Sequence, residues 1–161
     1  MILVTLVKAV PDLDTMAFDP ATNTARRSGV ELFLNPFDAR AALVAPTLVR
    51  PGDSSLVLSM GPPEARGPLL EAMAMGADRA CLVSDRALAG SDTWVTSKVL
   101  ATVLRPIAPD LVLAGRWSTD SATGQMPSQL AEQLGLPFVD GARRIERKDA
   151  RTFEIVSETE E

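Results

Sequence analysis

Within six residues the chain gathers Ser118, Thr119, Asp120, Ser121 and Thr123, shortly after an apolar run, Leu111 to Ala114, that ends at Gly115. Four hydroxyls and one carboxylate hold sugars and phosphates well, but they break no bond without a base, a metal or a cation clamp. The run Leu111 to Ala114 reads as a parallel strand buried on both faces, and ligands of open α/β sheets collect where such strands end. A helix expected to begin near Thr123 adds unpaired backbone N–H groups, which favour a phosphate. Two readings fit these residues equally: a nucleotide loop, or a strand exit in which Gly115 turns the chain and Ser121 or Thr123 caps the helix.

The rest of the composition removes most catalytic chemistry. Histidine and tyrosine are absent, which excludes Ser-His and Cys-His nucleophiles, histidine metal sites and imidazole acid-base work. The single cysteine, Cys81, lies between Ala80 and Leu82 and reads as an inert buried thiol. No carboxylate pair is placed for acid-base catalysis. There is no GxxxxGK[ST] loop and no GxGxxG after the first strand. The 115–126 loop carries Arg116 but no lysine, which suits holding a nucleotide rather than cleaving one. A net charge of −5 argues against a nucleic-acid grip. No apolar stretch approaches the ~20 residues of a membrane helix. The opening MILVTLV has no basic leader and stops at Lys8. A soluble, unprocessed, cytoplasmic chain of bacterial or archaeal type is expected, with no membrane insertion.

The elements that must position the loop follow from periodicity and punctuation. At 161 residues one α/β domain is expected over 1–156, with 157–161 as an acidic tail. Core strands are expected at Ile2 to Val7, Leu56 to Met60, Ala80 to Val83 and Leu111 to Ala114. Met16 to Asp19 and Val30 to Leu34 read as short strands of an excursion hairpin around a turn-rich segment. Asn35 stands as N-cap with Pro36 at the first helical position, and Pro46 should keep that helix short. A helix after Pro63 is expected to be interrupted at Gly67-Pro68, to bury Leu69, Leu70, Met73 and Ala77, and to end at Gly76. Ser91 or Asp92 should cap a helix with Trp94, Val95, Val99 and Val103 on one face. Ala122, Met126, Leu130 and Leu134 form the core stripe of the last helix. Arg143 to Glu146 and Thr152 to Val156 should pair as a hairpin. Alternating β and α elements predict a Rossmann-like three-layer sandwich, a mostly parallel sheet with helices on both faces.

Five passages in order resemble the electron transfer flavoprotein beta subunit. MILVTLVKAV at Met1 to Val10 is similar to the family's first strand with its Val-Lys pair. Leu34 to Asp38 (LNPFD) is similar to its Asn-Pro-Phe segment. Met60 to Pro62 (MGP) and Ala74 to Ala80 (AMGADRA) are similar to its second strand end and a helix exit. Asp110 to Pro137 resembles its adenosine-phosphate loop. The resemblance implies a pocket built by Gly115, Arg116, Trp117, Ser118, Thr119, Asp120, Ser121, Ala122, Thr123, Gly124, Gln125 and Met126. Asp120 would accept from a ribose hydroxyl, Thr123 and nearby N–H groups would hold phosphate, and Gln125 would bond a phosphate or the base. Asn35 and Asp38 would hydrogen-bond the nucleoside, Pro36 and Phe37 would line the pocket, and Leu6 and Met60 would supply backbone or apolar contacts. For Leu6 and Met60, plain core burial is the stronger reading of the residues themselves.

The resemblance implies a subunit without bond chemistry of its own. It would hold AMP, pair with an alpha subunit that carries most of a shared FAD, and relay electrons from dehydrogenases toward a quinone reductase. In the branch of the family that bifurcates electrons, FAD takes the place of AMP, and Thr123-Gly124-Gln125 followed by Pro127 resembles that branch. The family's beta subunit continues past the point where this chain stops, and Pro46 and Gly67-Pro68 are expected to disturb helices. Two other classes stay open: a free-standing ATP-binding domain resembling universal stress proteins, and an interaction remnant that binds nothing.

Overall fold

A computed structural model describes residues 1–12, 18–19, 24–25 and 31–158. Its centre is a four-stranded parallel sheet built from β1 (Ile2–Leu6), β6 (Ser54–Met60), β7 (Arg79–Val83) and β8 (Leu111–Leu113), in the order β7-β6-β1-β8. The remaining strands are β2 (Ala9–Pro11), β3 (Phe18–Asp19), β4 (Thr24–Ala25), β5 (Leu32–Leu34), β9 (Ala142–Arg147) and β10 (Phe153–Ser157). The helices are α1 (Pro36–Leu48), α2 (Arg66–Ala74), α3 (Thr93–Leu104) and α4 (Met126–Leu134). This is the three-layer α/β sandwich expected.

Alternation along the central strands assigns the two faces. Val4, Leu6, Leu56 and Leu58 turn to one side, where they pack with Leu100, Ala101 and Leu104 of α3 and Leu130 of α4. Leu3, Val7 and Val57 turn to the other, against Ala42, Ala45 and Leu48 of α1 and Leu69 and Ala72 of α2. Successive residues of a strand point to opposite faces, so one strand serves both layers. The register of β6 on β7 is held by Asp78, whose carboxylate accepts from the Ser55 N–H at 2.8 Å and hydroxyl at 3.1 Å. The Ala74 to Ala80 passage therefore has a structural duty at the N-terminal edge of the sheet.

Several expectations are corrected. β1 and β8 each stop one residue early, at Leu6 and Leu113. β8 is half-buried rather than buried on both faces, because it is an edge strand that pairs only with β1. In the excursion, Leu32–Leu34 pairs antiparallel with Ala9–Pro11, and Phe18–Asp19 pairs with Thr24–Ala25. Met16 and Val30 lie outside the described residues. α1 runs through Pro46 to Leu48, since a proline this close to the C-terminus costs a single helical hydrogen bond.

After Pro63 a 3-10 turn, Pro63–Ala65, leads into α2, and Pro68 sits in its first turn, where a missing N–H leaves nothing unpaired. Leu69 is buried, but Leu70 is 41% exposed. Gly76 follows α2 at φ +126°, and a Cβ there would stand 2.7 Å from Pro46 Cγ, so its bareness lets the two helices meet.

Asp92 caps α3 by accepting from the Val95 N–H at 2.8 Å. The buried face of α3 is Ser97, Leu100, Ala101 and Leu104, whereas Trp94 and Val95 are exposed. Both stripes have helical period, and the position of the sheet selects between them. α4 begins at Met126, not near Thr123. Ala122, at φ +46°, and Gly124, at φ +65°, are left-handed and hold the preceding segment out of the helix. Ala122 thereby drops from the core stripe and is exposed.

The β9-β10 hairpin forms as expected, and it continues into the start of the acidic segment. Ser157 is in β10, the Glu158 N–H donates to Gly141 O at 2.9 Å, and Arg143 pairs with the Glu158 carboxylate. Residues 159–161 lie outside the described residues. The hairpin is clasped to the domain by Arg147, whose side chain is 6% exposed and whose guanidinium donates to Leu48 O at 3.0 Å and pairs with Asp53. The amino group of Met1 donates to the other Asp53 oxygen at 2.7 Å.

Hydrogen bonds from Arg147, from that amino group and from the Arg50 N–H hold the Asp53 carboxyl well below the usual carboxylate range. A depressed folded pKa gives stability that is complete above the unfolded value of ~3.9 and is lost as pH falls below it. Acid is therefore expected to loosen the hairpin. Replacing Arg147 with Gln should move the acid transition to higher pH and remove amide-exchange protection in β9 and β10. An acid transition unmoved by that substitution would show that the clasp contributes nothing.

Candidate functional site

The site is assembled at the C-terminal edge of the sheet from three segments that meet around Asp38. β1 leaves the sheet at Leu6, and the next residues cross above α1. The Lys8 N–H donates to Asp38 Oδ2 at 2.8 Å, and Lys8 O accepts from the Asn35 N–H at 2.9 Å. β8 ends beside them, and the Gly115 N–H donates to Asp38 Oδ1 at 2.9 Å. Asn35 does occupy the N-cap position of α1, but its side chain makes no cap bond. Its amide instead donates to Asp38 Oδ2 at 3.0 Å and to Trp117 O at 2.7 Å. Pro36 at the first helical position brings no N–H to satisfy, and Asp38 in the first turn complements the helix dipole, so the Asn35 amide is left for the loop.

Gly115 is required by this contact. A Cβ there would strike Asp38 Oδ1 and stand 2.8 Å from both the Asp38 amide nitrogen and the Phe37 carbonyl carbon. Burial is the largest influence on Asp38 and pushes its carboxyl up. Hydrogen bonds from Asn35, Lys8 and Gly115 and the charge of Lys8 oppose that rise without cancelling it.

Beyond Gly115 the loop carries an aromatic corner and a polar one. The Trp117 ring meets Phe37 edge-on at 5.9 Å between centroids, and the Arg116 guanidinium lies 4.6 Å from its centroid. Arg116 also pairs with Asp140 at 3.2 Å. Gly124 backs onto the indole, where a Cβ would lie 3.0 Å from Nε1. In the polar corner the Lys8 ammonium reaches Asp120 Oδ1 at 2.7 Å, Ser118 Oγ at 3.3 Å and Ser121 Oγ at 3.5 Å. The two serine hydroxyls are 2.8 Å apart. For Asp120 burial is the largest single influence and acts upward, yet the Lys8 and Ser118 hydrogen bonds together hold its carboxyl below the ordinary range.

Thr119 faces a shallow cleft of about 370 Å³ shared with Pro11, Phe33 and Pro36. The Asn35 Oδ1 atom is buried and has no hydrogen-bond partner among the described residues. Ala122 pays for its left-handed backbone with about 1–2 kcal/mol, a strain that accompanies ligand loops.

Of the residues picked out in the sequence, the structure draws together Asn35, Phe37, Asp38, Gly115, Arg116, Trp117, Ser118, Asp120, Ser121 and Gly124, with Pro36 and Thr119 on the adjoining cleft. Leu6 is 4% exposed and packs in the α3/α4 core cluster, with Met60 and Met126 against the same cluster. Thr123 and Gln125 are exposed and stand before α4 rather than in it. Lys8 was missed as a site residue. Its signal was its place as the first charge after the apolar run MILVTLV, where β1 reaches the edge of the sheet.

Strand order, helices on both faces and a polar loop at the C-terminal edge place the chain among α/β domains of the Rossmann-like class. Among the described residues no helix is long and apolar enough to cross a membrane, and no group of His, Cys, Asp or Glu could hold a metal. The family described as "Electron transfer flavoprotein domain" matches residues 22–160. The chain is 43% identical over 157 residues to the Caffeyl-CoA reductase-Etf complex subunit CarD of Acetobacterium woodii, an alignment covering 95% of this chain and 60% of that one. It is 42% identical over 147 residues to the electron transfer flavoprotein subunit beta of Thermoanaerobacterium thermosaccharolyticum, covering 91% and 56%. Protein FixA of Azorhizobium caulinodans is 42% identical over 142 residues, covering 84% and 50%. The chain belongs to the electron transfer flavoprotein family, on its beta-subunit side. It spans 50–60% of the length of these relatives.

Proposed function

We propose that this chain is the nucleotide-holding part of an electron transfer flavoprotein beta-type subunit, that its loop binds AMP, and that it works with an FAD-carrying alpha subunit. The observation that carries the reading is the cluster of Lys8 with Asp120 and the Ser118 and Ser121 hydroxyls at the strand ends, a cation, a carboxylate and two hydroxyls gathered on one sheet edge. Lys8 and these hydroxyls would hold the phosphate. The buried Asn35 Oδ1 is an acceptor that a ribose hydroxyl or an adenine amino group would satisfy, and a buried acceptor without a partner is costly. Trp117, 41% exposed and braced by Phe37 and Arg116, offers an aromatic surface to a base.

The chain's own residues bind and orient. FAD, when bound in the complex, supplies the redox chemistry that these side chains lack. Dehydrogenases as electron donors and a quinone reductase as acceptor belong to the same proposal. AMP held by the folded form alone would stabilise it by mass action, with about 2.7 kcal/mol gained at a hundredfold excess over Kd.

The test is native purification, a visible spectrum, then denaturation and mass spectrometry of what is released. AMP from a colourless protein is the expected result. A yellow protein releasing FAD would assign the bifurcating type, and ATP would assign a free-standing sensor. No ligand, even after adding AMP, ADP, ATP or FAD and measuring by calorimetry, would overturn the nucleotide reading for this chain.

A further inference from the structure

Lys8 has three N–H bonds to give, and three partners take them: Asp120 at 2.7 Å, Ser118 at 3.3 Å and Ser121 at 3.5 Å. Arg116, the cation of the neighbouring corner, faces Asp140 at 3.2 Å and covers the Trp117 ring. Asp38 adds a carboxyl beneath the loop, fully engaged by backbone and amide donors. An incoming phosphate therefore meets a lysine whose charge is already matched by a carboxylate.

We infer that Asp120 is a specificity-determining residue of this site, an internal counter-ion that makes the pocket select ligands by phosphate charge. This rests on the nucleotide reading and deepens it. A phosphate can replace Asp120 on the Lys8 ammonium, but the displaced carboxylate stays on the same loop and repels it. A nucleoside monophosphate carries a charge of about −2 near neutral pH. Each further phosphate of a di- or triphosphate adds repulsion from Asp120, and among the described residues the loop contacts hold no cation beyond Lys8 and the Asp140-paired Arg116 to offset it. A dinucleotide with a diphosphate diester carries about the same charge as a monophosphate, so it passes the same filter. The site thus discriminates by charge number, and AMP and FAD fall on the permitted side.

The experiment is calorimetric titration of the full chain with AMP, ADP and ATP at low and high salt, for the parent and for Asp120→Asn. The parent should prefer AMP over ATP by on the order of tenfold, the size of the repulsion felt by two further phosphate charges at a solvent-exposed site. High salt should compress that preference. Asp120→Asn should bring ATP to within a few-fold of AMP, and Asp120→Ala should repeat the result with a different side chain. Lys8→Gln should weaken all three ligands, ATP most. If Asp120→Asn and Asp120→Ala weaken AMP and ATP by equal factors, Asp120 holds the ribose and the inference is overturned while the nucleotide reading stands. Parent protein that binds ATP as tightly as AMP also overturns it. Parent protein that binds none of the three overturns the nucleotide reading itself.

Discussion

Replacing Gly115 with Ala should cost the domain about 3 kcal/mol, the upper end of the range for overpacking, and should abolish nucleotide binding. The new methyl group would strike Asp38 Oδ1 and stand 2.8 Å from two backbone atoms, the Asp38 nitrogen and the Phe37 carbonyl carbon. A flexible side chain could swing away, but these backbone atoms are the first turn of α1, and moving them shifts the helix. Relief must come from the β8 exit instead, which breaks the Gly115 to Asp38 bond and carries the loop with it. Gly67→Ala is the control, because a Cβ there meets nothing within 4 Å and its helical site gains from losing glycine's freedom. Urea denaturation of the two variants reads the difference. A Gly115→Ala protein as stable as the parent would mean that the three segments are not locked together at Asp38.

The second large effect is expected from Asp38→Asn, a change of one atom. Asp38 uses both oxygens as acceptors, Oδ2 for the Lys8 N–H and the Asn35 amide and Oδ1 for the Gly115 N–H. An amide must turn its NH2 group toward one set of donors, leaving a buried donor facing another donor. The cost is about 2 kcal/mol, typical of a buried polar group left unpaired. A second signature lies in its pH dependence. Burial raises the Asp38 carboxyl above its unfolded value, so between the two values the folded state binds more protons. That contribution to stability is present at low pH and is lost as pH rises through the folded value. The stability gap between parent and Asp38→Asn should therefore widen from neutral pH toward pH ~4. A gap that narrows on acidification would mean that hydrogen bonding, not burial, governs the group. The opposite sign at Asp53 gives the two carboxyls distinguishable traces in one titration series.

Much of this protein could be read from local pattern. Apolar runs, prolines, the Asp92 cap and the glycine after the fourth core strand located the sheet strands and three of the four helices to within a few residues. They did so because each depends on neighbours in sequence: hydrogen-bond period, a missing N–H, a side chain that reaches three residues ahead. The 115–126 loop was legible for the same reason. Ordered passages also identified the family, since a fold retains the residue types at its strand ends.

Three-dimensional packing decided what connects residues distant in sequence. On α3, one stripe of four apolar residues and another led by Ser97 have equal claim by period, and only the sheet beneath chooses the second. The order of strands made β8 an edge, so a run that looked doubly buried is half-exposed. Left-handed backbone at Ala122 and at Gly124, which lies against Trp117, moved the last helix start to Met126. Lys8 entered the site for the same reason. It is 112 residues from Asp120 in sequence and 2.7 Å from it in space. No local pattern encodes that distance, because it is set by β1 lying beside β8 in one parallel sheet, and strand pairing between remote segments is a property of the whole core.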